Sequence, residues 1–332
     1  MATLDQIAES VGVSRKTVAR ALNGQHEAKY APTAKRFKEI RKVADRLGYR
    51  PNASAKATRT GKFNAIGYLH SSKLSNSHTN SALMRGVYSV LRDRDLLLTS
   101  AMHGDEHLTD EGVVPKLLRE LSADGLLIDY LTRVPEGMPE MIRHFRIPSI
   151  WVNVKHDIDC VRPDDIAAGR IATEHLIERG HRRILCGSLA ITSHYSHKDR
   201  LEGYRLAMQD AGLEPVVFDP KLVRYGDRLS EAMQWFAQND KPDAIMTPGP
   251  GSSTPMAAAA LANGHTLGED IACITVSNMM DRSFGVDMTT VIIPFEEVGQ
   301  LAVKELLLKI DAPDEERPGV AVRPTLDVGN TT

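Results

Sequence analysis

From residue 63 onward short apolar runs alternate with amphipathic stretches, and this alternation restricts the chain more than any other feature. AIGYL (65–69), GLLID (125–129), SIWVN (149–153), RILCG (183–187), DAIMT (243–247) and IACITVS (271–277) read as buried strands. Between them, Ser81–Arg92, Asp165–Arg179, Arg200–Ala211 and Pro255–Ala262 carry apolar residues at helical spacing. Strands alternating with helices predict an α/β class of doubly wound parallel sheets, with helices on both faces. Ligands bind such sheets at the carboxyl ends of the strands. At 332 residues the chain exceeds one small core and predicts two or three domains.

The stretch before residue 63 has a different character. Residues 1–62 hold 14 Lys+Arg against 5 Asp+Glu, whereas the rest holds 27 against 38. A basic segment on an acidic body points to a polyanion partner for the N-terminus alone. Cys160, Cys186 and Cys273 are odd in number and far apart, so neither a disulfide framework nor a paired-cysteine zinc site follows. MATLDQIAES lacks the apolar core of a signal peptide, and no apolar run is long enough to span a bilayer. The expected location is a reducing cytoplasm.

Thr3-Leu-Asp-Gln6 is a capping-box pattern opening a short helix with Leu4, Ile7 and Ala8 on one side. Val11-Gly12-Val13 reads as a tight turn, and Ser14 can cap a second helix through about Leu22, with Val18 and Leu22 inward. Two short helices about a glycine turn form a helix-turn-helix. Its second helix begins Arg15-Lys16-Thr17, whose donors suit guanine O6 and N7 and whose threonine suits a polar edge or a thymine methyl. The competing reading is a helical hairpin with an exposed basic end. A third helix is predicted from about Ala34 to Leu47, with Phe37, Ile40, Val43, Ala44 and Leu47 inward and Gly48 just past its end. After Tyr49-Arg-Pro51, Asn52 can cap a helix of about seven residues to Arg59. A helix that short is marginal in water, so it is expected to order only against a partner surface or on DNA.

TLDQIAESVGVSRKTVARALNG followed by LGYRPNASAKATRTGKFNAIGYL closely resembles the lactose/galactose repressor family, and IERGHRRI (177–184) with RLEGY (200–204) extends the resemblance into the sensor. The resemblance implies a headpiece over 1–50, a hinge helix over 51–62 and an effector-binding, dimerising sensor over 63–332. It implies that the sensor has two subdomains like those of periplasmic sugar-binding proteins, with chain crossings near 160 and 290 and the ligand in the cleft between them. It places DNA contacts at Thr3, Ser14, Arg15, Lys16, Thr17, Arg20, Asn23, Tyr49, Asn52, Ala55 and Thr58.

The same carry-over places effector contacts at His78, Thr79, Asp129, Asn153, Ser196, Arg200, Arg228 and Ser277. Arg200 matches the arginine that clamps the effector, and Arg200→Ala is expected to abolish the response while leaving operator binding largely intact. The chain also departs from the family. Ser77-His78-Thr79-Asn80 replaces the usual Asn-Pro-Phe-Phe, Pro250-Gly251 the usual Asn-Asp, and Ser277 and Asn153 the usual aspartates. Arg228 stands where some relatives place an aromatic ring. Such a cationic, acceptor-poor cleft suits an anionic or phosphorylated sugar better than a neutral one. Arg228 also reads as a solvated charge at a helix start. In the hinge, Thr58 replaces a leucine that wedges into the minor groove. Either Thr58 faces solvent in a shifted register, or it faces the groove and the operator bends less.

An enzyme is the rival class. Gly249-Pro-Gly251 is a lone G-x-G, and Gly61-Lys62 lacks its upstream partner. His103 with His107, and His194 with His197, read as solvated rather than metal-bound. No catalytic residue, cofactor or metal is expected, and the basic headpiece argues against a solute-binding module without DNA. The C-terminus carries no leucine heptad, so a homodimer is expected on a pseudo-palindromic operator. The resemblance implies a repressor under allosteric control, with effector binding changing how the two hinges are held.

Overall fold

The computed structural model describes residues 2–22, 31–71, 80–103, 120, 122–130, 137–189, 194–218, 220, 224–239, 241–282 and 284–332. The chain divides into two compact units, Met1–Phe63 and Asn64–Thr332.

The first unit contains α1 (Leu4–Val11), α2 (Arg15–Leu22), α3 (Ala31–Arg46) and α4 (Ala53–Thr60). Thr3 and Gln6 form the reciprocal capping box that opens α1. Gly12 closes α1 at φ +66°, the left-handed conformation that turns the chain tightly into α2. Ile7, Ala8, Val18, Ala21, Phe37, Ile40 and Ala44 form one small core. Leu47 does not join it: it lies beyond α3 and is exposed, because the helix ends at Arg46 and the chain turns at Gly48. The hinge helix α4 is capped at both ends, by Asn52 through the Ala55 N–H and by Gly61 through the Ala57 carbonyl. Caps at both ends and the burial of Ala57 support a helix that propensity alone leaves marginal.

The second unit holds two six-stranded sheets. The first contains β1 (Ala65–Ser71), β2 (Leu97–His103), β3 (Gly125–Asp129), β4 (Ser149–Val152), β5 (Cys160–Pro163) and β11 (Val320–Val322), in the order β11-β5-β4-β3-β1-β2 and all parallel. The second contains β6 (Ile184–Gly187), β7 (Val216–Phe218), β8 (Ala244–Thr247), β9 (Ala272–Ser277), β10 (Thr289–Ile292) and β12 (Thr325–Asp327), in the order β12-β10-β9-β8-β6-β7, with β12 alone antiparallel. The chain passes between the sheets after Pro163, after Ile292 and again between Val322 and Thr325.

Helices α5 (Ser81–Asp93) and α11 (Phe295–Asp311) cover one face of the first sheet, and α6 (Met138–His144) the other. Helices α7 (Asp165–Glu178) and α8 (Tyr195–Asp210) cover one face of the second sheet, opposite α9 (Arg228–Gln238) and α10 (Pro250–Ala262). Two of these helices start earlier than periodicity predicts. α8 begins at Tyr195 rather than Arg200, and α10 at Pro250 rather than Pro255. Pro250 sits in the first turn, where a missing N–H costs nothing; Pro255 lies inside the helix.

Candidate DNA-binding and effector-binding sites

In the first unit the capping chemistry places the basic side chains. Ser14 Oγ accepts the Thr17 N–H at 3.2 Å and lies 2.9 Å from Thr17 Oγ1. The cap starts α2 one residue later, so Arg15, Lys16 and Arg20 emerge exposed from one short helix. Arg15 lies 3.7 Å from Asp5, but both are mostly exposed, so this pair leaves Arg15 available to an anion. A groove of about 490 Å³ runs along this unit, and Thr3, Arg15, Tyr49, Asn52 and Ala55 all line it, with Arg50 and Lys56. Five of the sequence-predicted contacts thus share one concave surface beside α2. Arg41, on the basic outer face of α3, donates through Nε to the Ala21 carbonyl at 3.2 Å and ties α3 to the end of α2. Asn23 falls outside the described residues, and for Thr58 the helix is described but not the side chain.

In the second unit the predicted effector residues stand at strand ends and helix starts. Asp129 ends β3, Asn153 follows β4 at φ +57°, Ser277 ends β9, Ser196 and Arg200 lie in the first turns of α8, and Arg228 opens α9. His78 and Thr79 fall outside the described residues. Arg200 donates through Nε to Asp165 Oδ1 at 2.8 Å and through Nη1 to the Pro248 carbonyl at 2.6 Å. Arg228 Nη1 donates to the Gly251 carbonyl at 3.1 Å. Ser277 Oγ donates to Asn278 Oδ1 at 3.4 Å.

His194 is not the solvated residue the sequence suggested. Its Nε2 lies 2.9 Å from the Asn153 carbonyl, which can only accept, so Nε2 carries the proton. Nδ1 is then the acceptor for Ser196 Oγ at 2.8 Å. Burial holds this imidazole below its ordinary pKa and keeps it neutral. His197 is likewise engaged, with Nε2 at 2.8 Å from Ser188 Oγ; His107 lies outside the described residues. Tyr195 Oη donates to Asn153 Oδ1 at 3.4 Å, and Lys155 pairs with Asp199 at 2.8 Å. The end of β4 is thereby joined to the start of α8, one from each subdomain. None of Lys155, Asp165, Tyr195 or Asp199 carried a sequence signal, because each partner is tens of residues away. Among the described residues no group of three or more His, Cys, Asp or Glu is placed to hold a metal.

Asp129 is buried and accepts the Tyr68 hydroxyl on Oδ2 at 2.7 Å, while Oδ1 has no partner. Its register neighbour on β1, His70, is also buried with Nδ1 unpartnered. Desolvation raises the Asp129 carboxyl from 3.8 to about 6, against the lowering effect of Tyr68. A raised carboxyl pKa means that the native state holds the proton more tightly than the unfolded chain. Stability from this group is therefore greatest below about pH 4 and is lost as pH rises toward 6, by roughly 3 kcal/mol in all. Asp129→Asn keeps an acceptor for Tyr68 and removes the charge. Urea melts from pH 4 to 8 should show the variant more stable than wild type at pH 8, by about 1–3 kcal/mol, with the difference shrinking toward pH 4. A constant difference across that range would show that Asp129 does not titrate there.

A helix-turn-helix with an exposed basic helix start, joined to paired parallel-sheet subdomains whose polar residues gather at strand ends, defines a ligand-responsive DNA-binding protein. Residues 3–52 match the family described as bacterial regulatory proteins, lacI family, and residues 173–332 match a periplasmic binding protein-like domain. The ribose operon repressor of Escherichia coli (strain K12) is 28% identical over 338 residues, covering 98% of both chains. The HTH-type transcriptional regulator CelR of Thermobifida fusca is 30% identical over 237 residues, 68% of this chain and 65% of that one. The lac repressor dimer bound to operator and the anti-inducer ONPF superposes with a TM-score of 0.82 at 22% identity, covering 100% of this chain and 99% of that chain. The chain belongs to the lacI family of bacterial regulatory proteins. It is a transcription regulator and not an enzyme.

Proposed function

We propose that this protein is a repressor that binds a pseudo-palindromic operator as a homodimer and is released or recruited by a sugar or sugar derivative in the sensor cleft. The observation that carries the reading is the single groove that gathers Thr3, Arg15, Tyr49, Asn52 and Ala55 beside the exposed start of α2. Residues 1–50 act as the headpiece, 51–62 as the hinge and 63–332 as the sensor. Ser14, Lys16, Thr17, Arg20, Asn23 and Thr58 complete the DNA-facing set; His78, Thr79, Asp129, Asn153, Ser196, Arg200, Arg228 and Ser277 form the effector set. Two structurally similar regulators were solved as sugar complexes, one with cellobiose and one with ribose, which supports a carbohydrate effector.

Self-association has its own support. Edge strand β2 exposes Leu97 (66%) and Met102 (61%), and the adjoining α5 exposes Tyr88. The other subdomain exposes Leu229 and Met233 on α9, Leu261 on α10 and Met279 after β9. An apolar, unpaired sheet edge asks for cover, and a two-fold partner supplies it.

The test is selection of bound fragments from genomic DNA by the purified protein, then footprinting and competition. A two-fold symmetric site should emerge. Lys16→Ala should cost about 1–3 kcal/mol on that site and much less on random DNA. Selection that enriches no sequence would sink the reading. Equal loss on both DNAs would make Lys16 a phosphate contact only.

A further inference from the structure

A pocket of about 580 Å³ opens on the subdomain of the first sheet, beside the amino-terminal ends of β4 and β5 and between α6 and the segment that follows α11. It is separate from the sensor cleft, since Asp129 and Asn153 stand at the carboxyl ends of their strands. Trp151 and His156, with ring centroids 5.1 Å apart, line it together with Ile147. Desolvation lowers the His156 pKa, so this lining is uncharged at neutral pH. The charges around the pocket divide into two sets. The inner set is paired: Lys309 Nζ lies 2.9 Å from Asp159 Oδ2, and Arg317 pairs with Glu305 and Glu315. The outer set is exposed: Arg143 and Arg146 at the end of α6 and just after it, Asp157 in the β4–β5 loop, and Asp314 and Glu316 after α11. Among the described residues none of these five has an ion-pair partner. Two guanidinium groups and three carboxylates thus line one pocket without meeting across it. An anion alone would face the three carboxylates, and a cation alone the two guanidinium groups. A molecule that carries both charges suits both sets.

We propose that this pocket is a second ligand site, outside the sensor cleft, for a zwitterion of amino-acid size: an α-amino acid with an apolar or aromatic side chain. Its carboxylate faces Arg143 and Arg146, its ammonium faces Asp157, Asp314 and Glu316, and its side chain lies along Trp151 and Ile147. The volume falls within the roughly 300–1,000 Å³ of small-molecule sites. The site goes beyond the effector reading and does not depend on it.

The test is titration calorimetry on the full-length protein at constant ionic strength. The probes are L-phenylalanine and L-leucine, each also as its amide and as its N-acetyl derivative. At least one of the two amino acids should bind with a Kd of about 1 mM or tighter. Blocking its carboxylate or its ammonium should each weaken binding about threefold or more. A variant with Arg143→Gln and Arg146→Gln should bind the amino acid and its amide equally while still rejecting the N-acetyl form. A variant with Asp157→Asn, Asp314→Asn and Glu316→Gln should show the converse. All five side chains are exposed, so both variants should fold, and far-UV circular dichroism checks this. Binding by neither amino acid would overturn the proposal. So would a discrimination that both variants leave unchanged, which would put the amino acid elsewhere, the cleft included. Either outcome leaves the operator and effector reading standing.

Discussion

Arg200→Ala lowers the stability of the sensor by about 3–5 kcal/mol at neutral pH, in addition to any effect on ligand response. Asp165 is fully buried, and its Oδ1 accepts Arg200 Nε at 2.8 Å while Oδ2 has no partner. Removing the guanidinium leaves an uncompensated carboxylate in the core and also takes the donor from the Pro248 carbonyl. Asp165→Asn in the Arg200→Ala background should recover much of the deficit, because a neutral amide replaces the stranded charge. Urea denaturation of the single and double variants measures this. An Arg200→Ala variant within about 1 kcal/mol of wild type would show that the pair contributes little. Sequence resemblance made Arg200 an effector clamp whose removal leaves operator binding largely intact; its buried partner Asp165 makes it a structural residue as well.

Gly203→Ala should destabilise the sensor by about 3 kcal/mol. In an isolated helix the same change would stabilise by about 1 kcal/mol, because alanine is the better helix former. The packing decides the sign. A Cβ on Gly203 would lie 2.0 Å from the Ile166 carbonyl oxygen, and one on Gly169 would lie 1.9 Å from the Arg200 carbonyl oxygen. Both clashes are with backbone, so no rotamer relieves them and α7 and α8 must separate. Those helices cover the core of Ala172, Leu176, Tyr204 and Met208, and separation opens it. Guanidinium melts of Gly169→Ala and Gly203→Ala check this; an increase in stability for either would refute the close-crossing argument.

Local chemistry was legible wherever its partners are near in sequence. The Thr3–Gln6 capping box, the left-handed Gly12 and Gly48, and the Asn52 cap on the hinge helix all stand where the residues placed them. The apolar runs ending at Asp129, Thr247 and Ser277 became central strands because a strand buried on both faces must be apolar throughout. The outer strands β2, β5, β7, β10, β11 and β12 were not read. Edge strands such as β2, with exposed Leu97 and Met102, keep neither a continuous apolar run nor a clean alternation.

Helix starts at Tyr195 and Pro250 were placed about five residues late, since the first turns of α8 and α10 face polar neighbours rather than the core. The glycines that let α7 meet α8, and α5 meet α11, were silent for the same kind of reason. A helical glycine looks like a weak point until the opposing backbone is known.

The sequence by itself determined the helix-turn-helix with its basic helix start, the alternating α/β class and the family pattern. Each depends on caps, charges and periodicities within about a turn or a strand. Only the tertiary structure decided that Arg200 is bound to Asp165, that His194 bridges Asn153 and Ser196, and that Arg200 and Arg228 share one turn. Those contacts join residues that chain order separates, and their strength comes from burial, a property that exists only once the two sheets have closed around them.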